Sequence, residues 1–213
     1  TNEDNMKLMA RYEDNHFDLA IVDPPYGIGE SGENNHKRTG GRAKARKYKS
    51  FAGGDKEIPT KEYFKELKRV SKNQIIWGGN YMVEHLTKSM GWIFWDKDMG
   101  AQDFSDGELA YTSFNRSLKK YKYTWCGFRQ GPTNQRIEDR IHPTQKPIAL
   151  YEWLLMNYAK EGDKILDTHG GSMSIALACH NLNFDLTLCE LDTEYYEAGL
   201  KRLKQHQKQI RLF

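Results

Sequence analysis

Asp163-Lys164-Ile165-Leu166-Asp167-Thr168-His169-Gly170-Gly171-Ser172 decides the fold. A short apolar centre, Ile165-Leu166, is followed by an acid and a Gly-rich turn, and a helix is predicted from about Met173 to His180. The next apolar stretch, Phe184 to Cys189, reads as a second strand ending in Glu190-Leu191-Asp192. Strand, Gly-rich turn, helix, strand and acid form a βαβ unit of the nucleotide-binding kind. Gly170 and Gly171 allow the tight turn and close backbone approach that a bound small molecule needs. Glu190 stands where an acid accepts both hydrogens of a ribose diol. The spacing from Gly171 to Glu190 is close to the roughly 20 residues of the dinucleotide fingerprint, yet no Gly-x-Gly-x-x-Gly occurs. An ordinary strand-to-helix connection uses the same residue types.

Upstream, Phe17-Asp18-Leu19-Ala20-Ile21-Val22 reads as a buried strand of a parallel sheet, and Asp23-Pro24-Pro25-Tyr26 follows it directly. The two prolines donate no backbone hydrogen bond and end the strand. An acid, a bare carbonyl and an aromatic ring thus gather at the C-terminal end of a strand, where open α/β sheets place ligands. Such a loop accepts hydrogen bonds from an amino group while the ring stacks on the base carrying it. The plainer alternative is a strand stopped by a proline turn, with Asp23 capping the next element.

The 213 residues suit one domain spanning 1–213, and no stretch is apolar for long enough to cross a membrane. The polar start Thr1-Asn2-Glu3-Asp4-Asn5 does not read as a signal peptide. Cys126, Cys179 and Cys189 lack Cys-x-x-Cys spacing, so a reduced, cytoplasmic chain without a zinc cluster is expected and no metal is called for. The net charge of +3 decides nothing, but its distribution does. Within a basic loop at about 30–58, the stretch 34–54 is acid-free, and Lys37, Arg38, Arg42, Lys44, Arg46, Lys47 and Lys49 crowd among glycines. The stretch has no apolar period and follows the Asp-Pro-Pro-Tyr loop, so it suits tracking of a phosphate backbone; a solvated surface is the bland reading.

A short helix is expected from Asn5 to Tyr12, and Pro59-Thr60-Lys61-Glu62 opens another with Tyr63, Phe64, Leu67 and Val70 at helical spacing. Asn73–Trp77 and Gly91–Trp95 read as strands. Gly78-Gly79-Asn80 after the first either lets a ligand approach or simply makes a turn. Glu108–Phe114 and Tyr121–Phe128 read as two further strands that should pair antiparallel at one sheet edge. A polar loop at about 129–141 follows. His142-Pro143-Thr144-Gln145-Lys146-Pro147 then leads into a helix carrying Leu150, Trp153, Leu154 and Tyr158. The last helix carries Tyr196, Leu200 and Leu203 on one face. The five tryptophans read as core. No repeat or linker divides the chain. The fold class is α/β, a mostly parallel Rossmann-like sheet with an antiparallel edge hairpin and helices on both faces.

Asp23-Pro24-Pro25-Tyr26, His142 to Pro147, Asp167 to Ser172 and Glu190-Leu191-Asp192, in that order, resemble the amino-methyltransferases that modify exocyclic amines of DNA bases. The chemistry motif precedes the cofactor motif, as in their β class, which is mostly adenine-N6-specific with some cytosine-N4 enzymes. The likeness runs from about Phe17 to the last helix and implies a Rossmann-like fold that binds S-adenosylmethionine (SAM). It implies catalysis at Asp23, Pro24, Pro25 and Tyr26. SAM contacts fall to Thr144, Gln145, Lys146, Asp167, His169, Gly170, Gly171, Ser172 and Glu190. Double-stranded DNA with a flipped base is the implied partner, a homodimer a further possibility, and a bacterial or phage restriction-modification setting goes with it.

Two departures stand out. His169 replaces the family's usual Phe, and Met173 its second Gly, which narrows the room for the methionine part of SAM unless the backbone shifts. Few residues remain at 129–141 for target recognition. The alternatives are cytosine-N4 or RNA adenine methylation, a nicotinamide oxidoreductase, and a nucleic-acid-binding relative that has lost SAM.

Overall fold

The structure is a computed structural model that describes residues 1–29, 48, 54–98, 105–126, 129–133 and 137–208. A short helix α1 (Asn5–Met9), capped by Asp4, precedes strand β1 (Phe17–Val22). Helix α2 (Lys61–Val70) starts at Thr60, whose hydroxyl accepts from the Tyr63 N–H, and passes into β2 (Ser71–Trp77). Two single turns of 3-10 helix follow, then β3 (Trp92–Asp96), β4 (Gly107–Thr112) and β5 (Lys119–Lys122). A two-residue ladder joins β6 (Trp125–Cys126) to β7 (Arg129–Gln130). The chain closes with α3 (Ile148–Tyr158), β8 (Lys164–Asp167), α4 (Ser174–Leu182), β9 (Asp185–Leu188) and α5 (Thr193–Gln207).

Seven strands form one sheet in the order β5-β3-β4-β2-β1-β8-β9. β1 pairs parallel with both β2 and β8, and β8 parallel with β9. β4 is antiparallel to both β2 and β3, while β5 is parallel to β3, so β4 alone runs against the rest of the sheet. The sequence expectation of an antiparallel pair between 108–114 and 121–128 is therefore corrected. The antiparallel hairpin is β3–β4, and β5 crosses over to the edge beside β3. Strand propensity identifies both segments but does not choose their partners; here Trp92 and Phe94 meet Tyr111 and Leu109 across β3–β4.

Both sheet faces are covered, as the runs of apolar strand residues require. Leu19, Ile21, Ile75 and Trp77 pack with Leu150, Leu154 and Ile175 on one face. Ala20, Val22 and Ile76 pack with Leu8, Met9, Phe64 and Leu67 on the other. Each fully buried Leu, Ile or Phe contributes about 1.5–3 kcal/mol relative to exposure. Trp77, Trp95 and Trp125 are buried and the other two tryptophans partly so, in keeping with their reading as core.

Helix α5 departs from expectation. Its buried positions are Tyr195 and Gly199, whereas Tyr196, Leu200 and Leu203 are half-buried. The cause is steric: a Cβ on Gly199 would lie 2.6 Å from Met173 Cγ, so the only glycine of the helix must face α4.

Candidate active site

The order reverses at β1: β2 lies on one side of it and β8 on the other. This is the switch point at which open α/β sheets bind ligands, outside the C-terminal strand ends. Asp23-Pro24-Pro25-Tyr26 leaves β1 there, and Asp167 to Ser172 leaves the neighbouring β8. Because β4 runs the other way, its first residues reach the same rim. Glu108 is paired with Trp95 near the end of β3, and Leu109 O accepts from the Gly78 N–H just beyond β2.

Around Asp23 the structure assembles a closed set of polar contacts. The Tyr26 hydroxyl donates to Asp23 Oδ1 at 2.7 Å. Lys146 Nζ lies 2.6 Å from Asp23 Oδ2, 3.0 Å from Glu108 Oε2 and 3.2 Å from the Tyr26 hydroxyl oxygen. The Lys97 ammonium binds Glu108 Oε1 on the far side. Lys146 is buried, and the three acceptors match the three protons of its ammonium. Burial alone would raise the Glu108 carboxyl, but Lys146 and Lys97 hold it down at about 2. Burial pushes Asp23 up, with Glu108 adding and Lys146 opposing. Burial and the Asp23 carboxylate push the Tyr26 phenol well above its ordinary value, so it stays a donor.

The backbone of this loop is clamped as well. Asp55 Oδ1 accepts from the N–H groups of Tyr26 at 2.6 Å and Gly27 at 3.0 Å. The Tyr26 ring packs on Gly78, which sits at φ 66° and has no room for a Cβ on that side. Gly79 likewise gives way to Tyr111, so the two glycines serve a turn crowded by the protein's own rings.

At β8 and β9, Asp167 is buried and its Oδ1 accepts from the His169 N–H at 2.9 Å. Burial, assisted by the charges of Asp23 and Glu190, raises it to about 8. Glu190 accepts from the Gly171 N–H at 2.7 Å and the Asp192 N–H at 2.8 Å, and burial raises it too. Gly170 packs closely, since a Cβ there would lie 2.6 Å from Leu188 Cδ2 and displace that side chain. Gly171, at φ 49°, meets only the His142 ring, at 3.7 Å.

The remaining residues expected to contact SAM are engaged with protein partners around these two turns. His169 turns inward: Nδ1 meets the Thr168 hydroxyl, Nε2 meets Asn5, and burial lowers it to about 4, leaving it neutral. Ser172 is buried with its hydroxyl on Ser174. Gln145 fastens the preceding loop, its Oε1 accepting from Ile141 and its carbonyl from Trp125 Nε1. Thr144 is exposed, its hydroxyl on His142 Nδ1. Lys146 lies with Asp23 rather than with Gly171 and Glu190. Met173 adopts φ 56° and packs against Gly199, so the narrowing anticipated from its side chain is directed at α5. Lys37, Arg38, Arg42, Lys44, Arg46, Lys47 and Lys49 lie outside the described residues.

Sequence reading missed Glu108, Lys97, Asp55 and Tyr81, whose ring stacks on that of Tyr26. Glu108 opens an apolar strand, a weak signal whose meaning depends on the direction of β4. Asp55 lies far along the chain from the loop it holds. Among the described residues no group of three or more His, Cys, Asp or Glu side chains could hold a metal ion, and no helix is long and apolar enough to cross a membrane.

A mostly parallel seven-stranded sheet with one reversed strand, and with acidic loops meeting at its switch point, defines a Rossmann-like methyltransferase fold. A family model described as DNA methylase, covering the N6 and N4 enzymes, matches residues 72–201, and the chain belongs to that family. It is 28% identical over 236 residues to the type II methyltransferase M.HpaI of Haemophilus parainfluenzae, spanning 93% of this chain and 71% of that protein. The fold matches the M1.HpyAVI–SAM complex with a TM-score of 0.56 at 18% identity, covering 95% of this chain and 97% of that one. It also matches the cytosine-N4-specific PvuII DNA methyltransferase, with a TM-score of 0.58 at 10% identity over 99% and 86% of the two chains.

Proposed function

We propose that the chain, acting as a single methyltransferase domain, moves a methyl group from SAM to the exocyclic N6 amine of an adenine flipped out of double-stranded DNA. The observation that carries this is the Asp23 carboxylate at the end of β1, beside the acidic turn of β8 at the switch point. Asp167, Glu190 and Asp23 form a set of carboxylates that suits a ligand bearing a positive charge and donor hydroxyls. The SAM-binding role of these residues, and of Gly170 and Gly171, rests on that chemistry together with the motif order. When bound, SAM supplies a methyl group activated by a sulfonium.

The chain's own residues do the rest. The target base leaves the duplex at a cost of a few kcal/mol in lost stacking. The Asp23 carboxylate and the Pro24 carbonyl would accept the hydrogens of its amine and draw the nitrogen lone pair out of conjugation with the ring. The N–C bond would form as the carbon–sulfur bond of SAM breaks, with S-adenosylhomocysteine leaving and the amine's surplus proton passing to solvent by way of Asp23. Asp23 has spare acceptor capacity, because a carboxylate offers about four lone-pair positions and its protein contacts occupy two. Tyr26 supplies an aromatic face, Pro25 fixes the turn, and most of the rate gain comes from orientation. The basic residues 37–49 supply phosphate contacts, and a second copy of the chain would widen that surface.

The preference for adenine rests on the β-class motif order; the family description covers cytosine-N4 as well. The test is mass analysis of nucleosides from unmethylated DNA incubated with the chain and SAM. N6-methyladenine is expected, N4-methylcytosine would replace adenine as the target, and no methylated nucleoside would refute the proposal. Asp23→Asn should abolish transfer while leaving SAM affinity nearly intact; equal loss of both would refute the assigned role.

A further inference from the structure

The Asp23 carboxylate is held more elaborately than an amine acceptor requires. Three separate stretches converge on it: the end of β1, the start of the reversed strand β4, and the loop before α3. Lys146, from that loop, is 3% exposed in its side chain, and all three ammonium protons are directed at Asp23, Glu108 and Tyr26. We propose that Lys146 and Glu108 are positioning residues of the methyl transfer: the buried ammonium, held from behind by the glutamate, fixes one edge of the Asp23 carboxylate so that its other lone pairs face the incoming amine. This rests on the methyltransferase reading above.

Stability alone is a poor explanation for the arrangement. A buried ion pair rarely gains more than well-packed apolar side chains of the same volume, because removing both charges from water is costly. Chemistry explains it better. The amine must donate to Asp23, so Asp23 has to remain an acceptor. Burial and the neighbouring Glu108 carboxylate favour the protonated, donor form of Asp23, with Asp167 and the Tyr151 phenol also close by, while the Tyr26 hydroxyl and Lys146 favour the carboxylate. Lys146 is the cation that opposes this protonation, at 2.6 Å from Asp23 Oδ2. Lys97, bound to Glu108 and 4.9 Å from the Trp95 ring centroid, completes a neutral set of two carboxylates and two ammonium groups. Such a set does not repel a neutral base, and it leaves the acidic turn of β8 as the place for a cation.

The two partners act on Asp23 with opposite signs, and that separates this role from simple structural damage. In Lys146→Met the balancing cation is lost, so Asp23 titrates higher. In Glu108→Gln a repelling anion is lost and Lys146 serves Asp23 alone, so Asp23 titrates lower. The experiment measures single-turnover methyl incorporation from tritiated SAM into unmethylated plasmid DNA from pH 5 to 9, with SAM affinity determined by calorimetry. Lys146→Met is expected to lose about a hundredfold in rate at neutral pH, the scale of a misplaced reacting group. Its acid limb should move up by one pH unit or more, while SAM affinity stays within about twofold of the wild type. Glu108→Gln should lose rate with an acid limb that stays put or moves down. If Lys146→Met does not fold, Glu108→Gln and the charge-free pair Lys146→Met with Glu108→Leu decide the matter, the pair showing the raised limb. An acid limb that does not move up in Lys146→Met or in the pair, one that moves up in Glu108→Gln, or loss of SAM affinity matching the loss of rate, would overturn the inference alone while the wild type stays active. A wild-type chain that incorporates no methyl would overturn the functional reading with it.

Discussion

Tyr26 and Tyr81 stack with ring centroids 5.4 Å apart and planes 18° from parallel. Tyr26 is the ring proposed to receive the extruded base, whereas Tyr81 is 47% exposed on the turn after β2. With Gly78 against the ring as well, an extruded base competes with Tyr81 for the one remaining aromatic surface. Such a ring pair contributes about 0.5–1.5 kcal/mol beyond its burial. Tyr81→Ala should change the KM for DNA several-fold with little effect on SAM affinity, and Tyr81→Phe should behave as wild type. Fluorescence of 2-aminopurine at the target position checks this, and identical signals for wild type and Tyr81→Ala would rule the contact out.

Gly78 is the other wall of the same ring. A Cβ there would overlap Tyr26, and the residue sits at φ 66°, a conformation that disfavours L side chains by roughly 1 kcal/mol. Gly78→Ala should therefore displace Tyr26 and cost at least tenfold in methyl transfer, with Tm lowered by only a few degrees. Full activity in this variant would show that the ring's position is unimportant.

Asp55 ties the Tyr26 and Gly27 amides to the segment that precedes α2. Because these amides are only partly buried, removing their charged acceptor costs about 1 kcal/mol, the low end for a lost partner. Asp55→Ala should lower kcat more than it lowers SAM affinity, because it loosens the Asp-Pro-Pro-Tyr loop and not the turn after β8. Asp55→Asn, which keeps an acceptor oxygen, should recover most of the rate.

Arg202 of α5 binds Glu138 and donates to Ser172 O at 2.8 Å and Ser174 Oγ at 2.9 Å. One side chain thus joins the loop before α3 to the turn after β8. Burial raises the Glu138 carboxyl, and Arg202 opposes the shift. Arg202→Met would strand Glu138 without its cation, at a cost of about 3–5 kcal/mol. Adding Glu138→Leu should return much of that loss. Thermal melts of the two single variants and the double variant check the coupling, and simple additivity would contradict it.

Asp167 gives the pH dependence. Its folded value of about 8 lies above its unfolded one, so the native state holds a proton that the unfolded chain releases. Its contribution to stability is greatest at low pH and is lost as pH rises from about 4 to about 8, with a slope of about 1.4 kcal/mol per pH unit. A cationic ligand in this turn favours the carboxylate, so SAM affinity should rise by up to about tenfold per pH unit below pH 8. Calorimetry in buffers of different ionisation enthalpy should register a released proton. Asp167→Asn should abolish both effects, and a pH-independent affinity in the wild type would remove Asp167 from the cofactor's surroundings.

Local pattern alone sufficed for much of the chain. The apolar run at Phe17–Val22, the proline stop at Asp23-Pro24-Pro25-Tyr26, the βαβ unit from 163 to 192 and the capped helix after Thr60 were all legible, because each is fixed by neighbours a few residues away. Tertiary structure alone decided the direction of β4, and with it the arrival of Glu108 at Asp23. It also decided that Lys146 joins the proposed amine site and not the turn at Gly171, that Met173 packs into Gly199, and that α5 presents Tyr195 in place of Tyr196. Periodicity shows that a segment has a buried face. It does not show which distant residue meets that face, since strand pairing and buried charge partnership are settled only when remote parts of the chain compete for the same space.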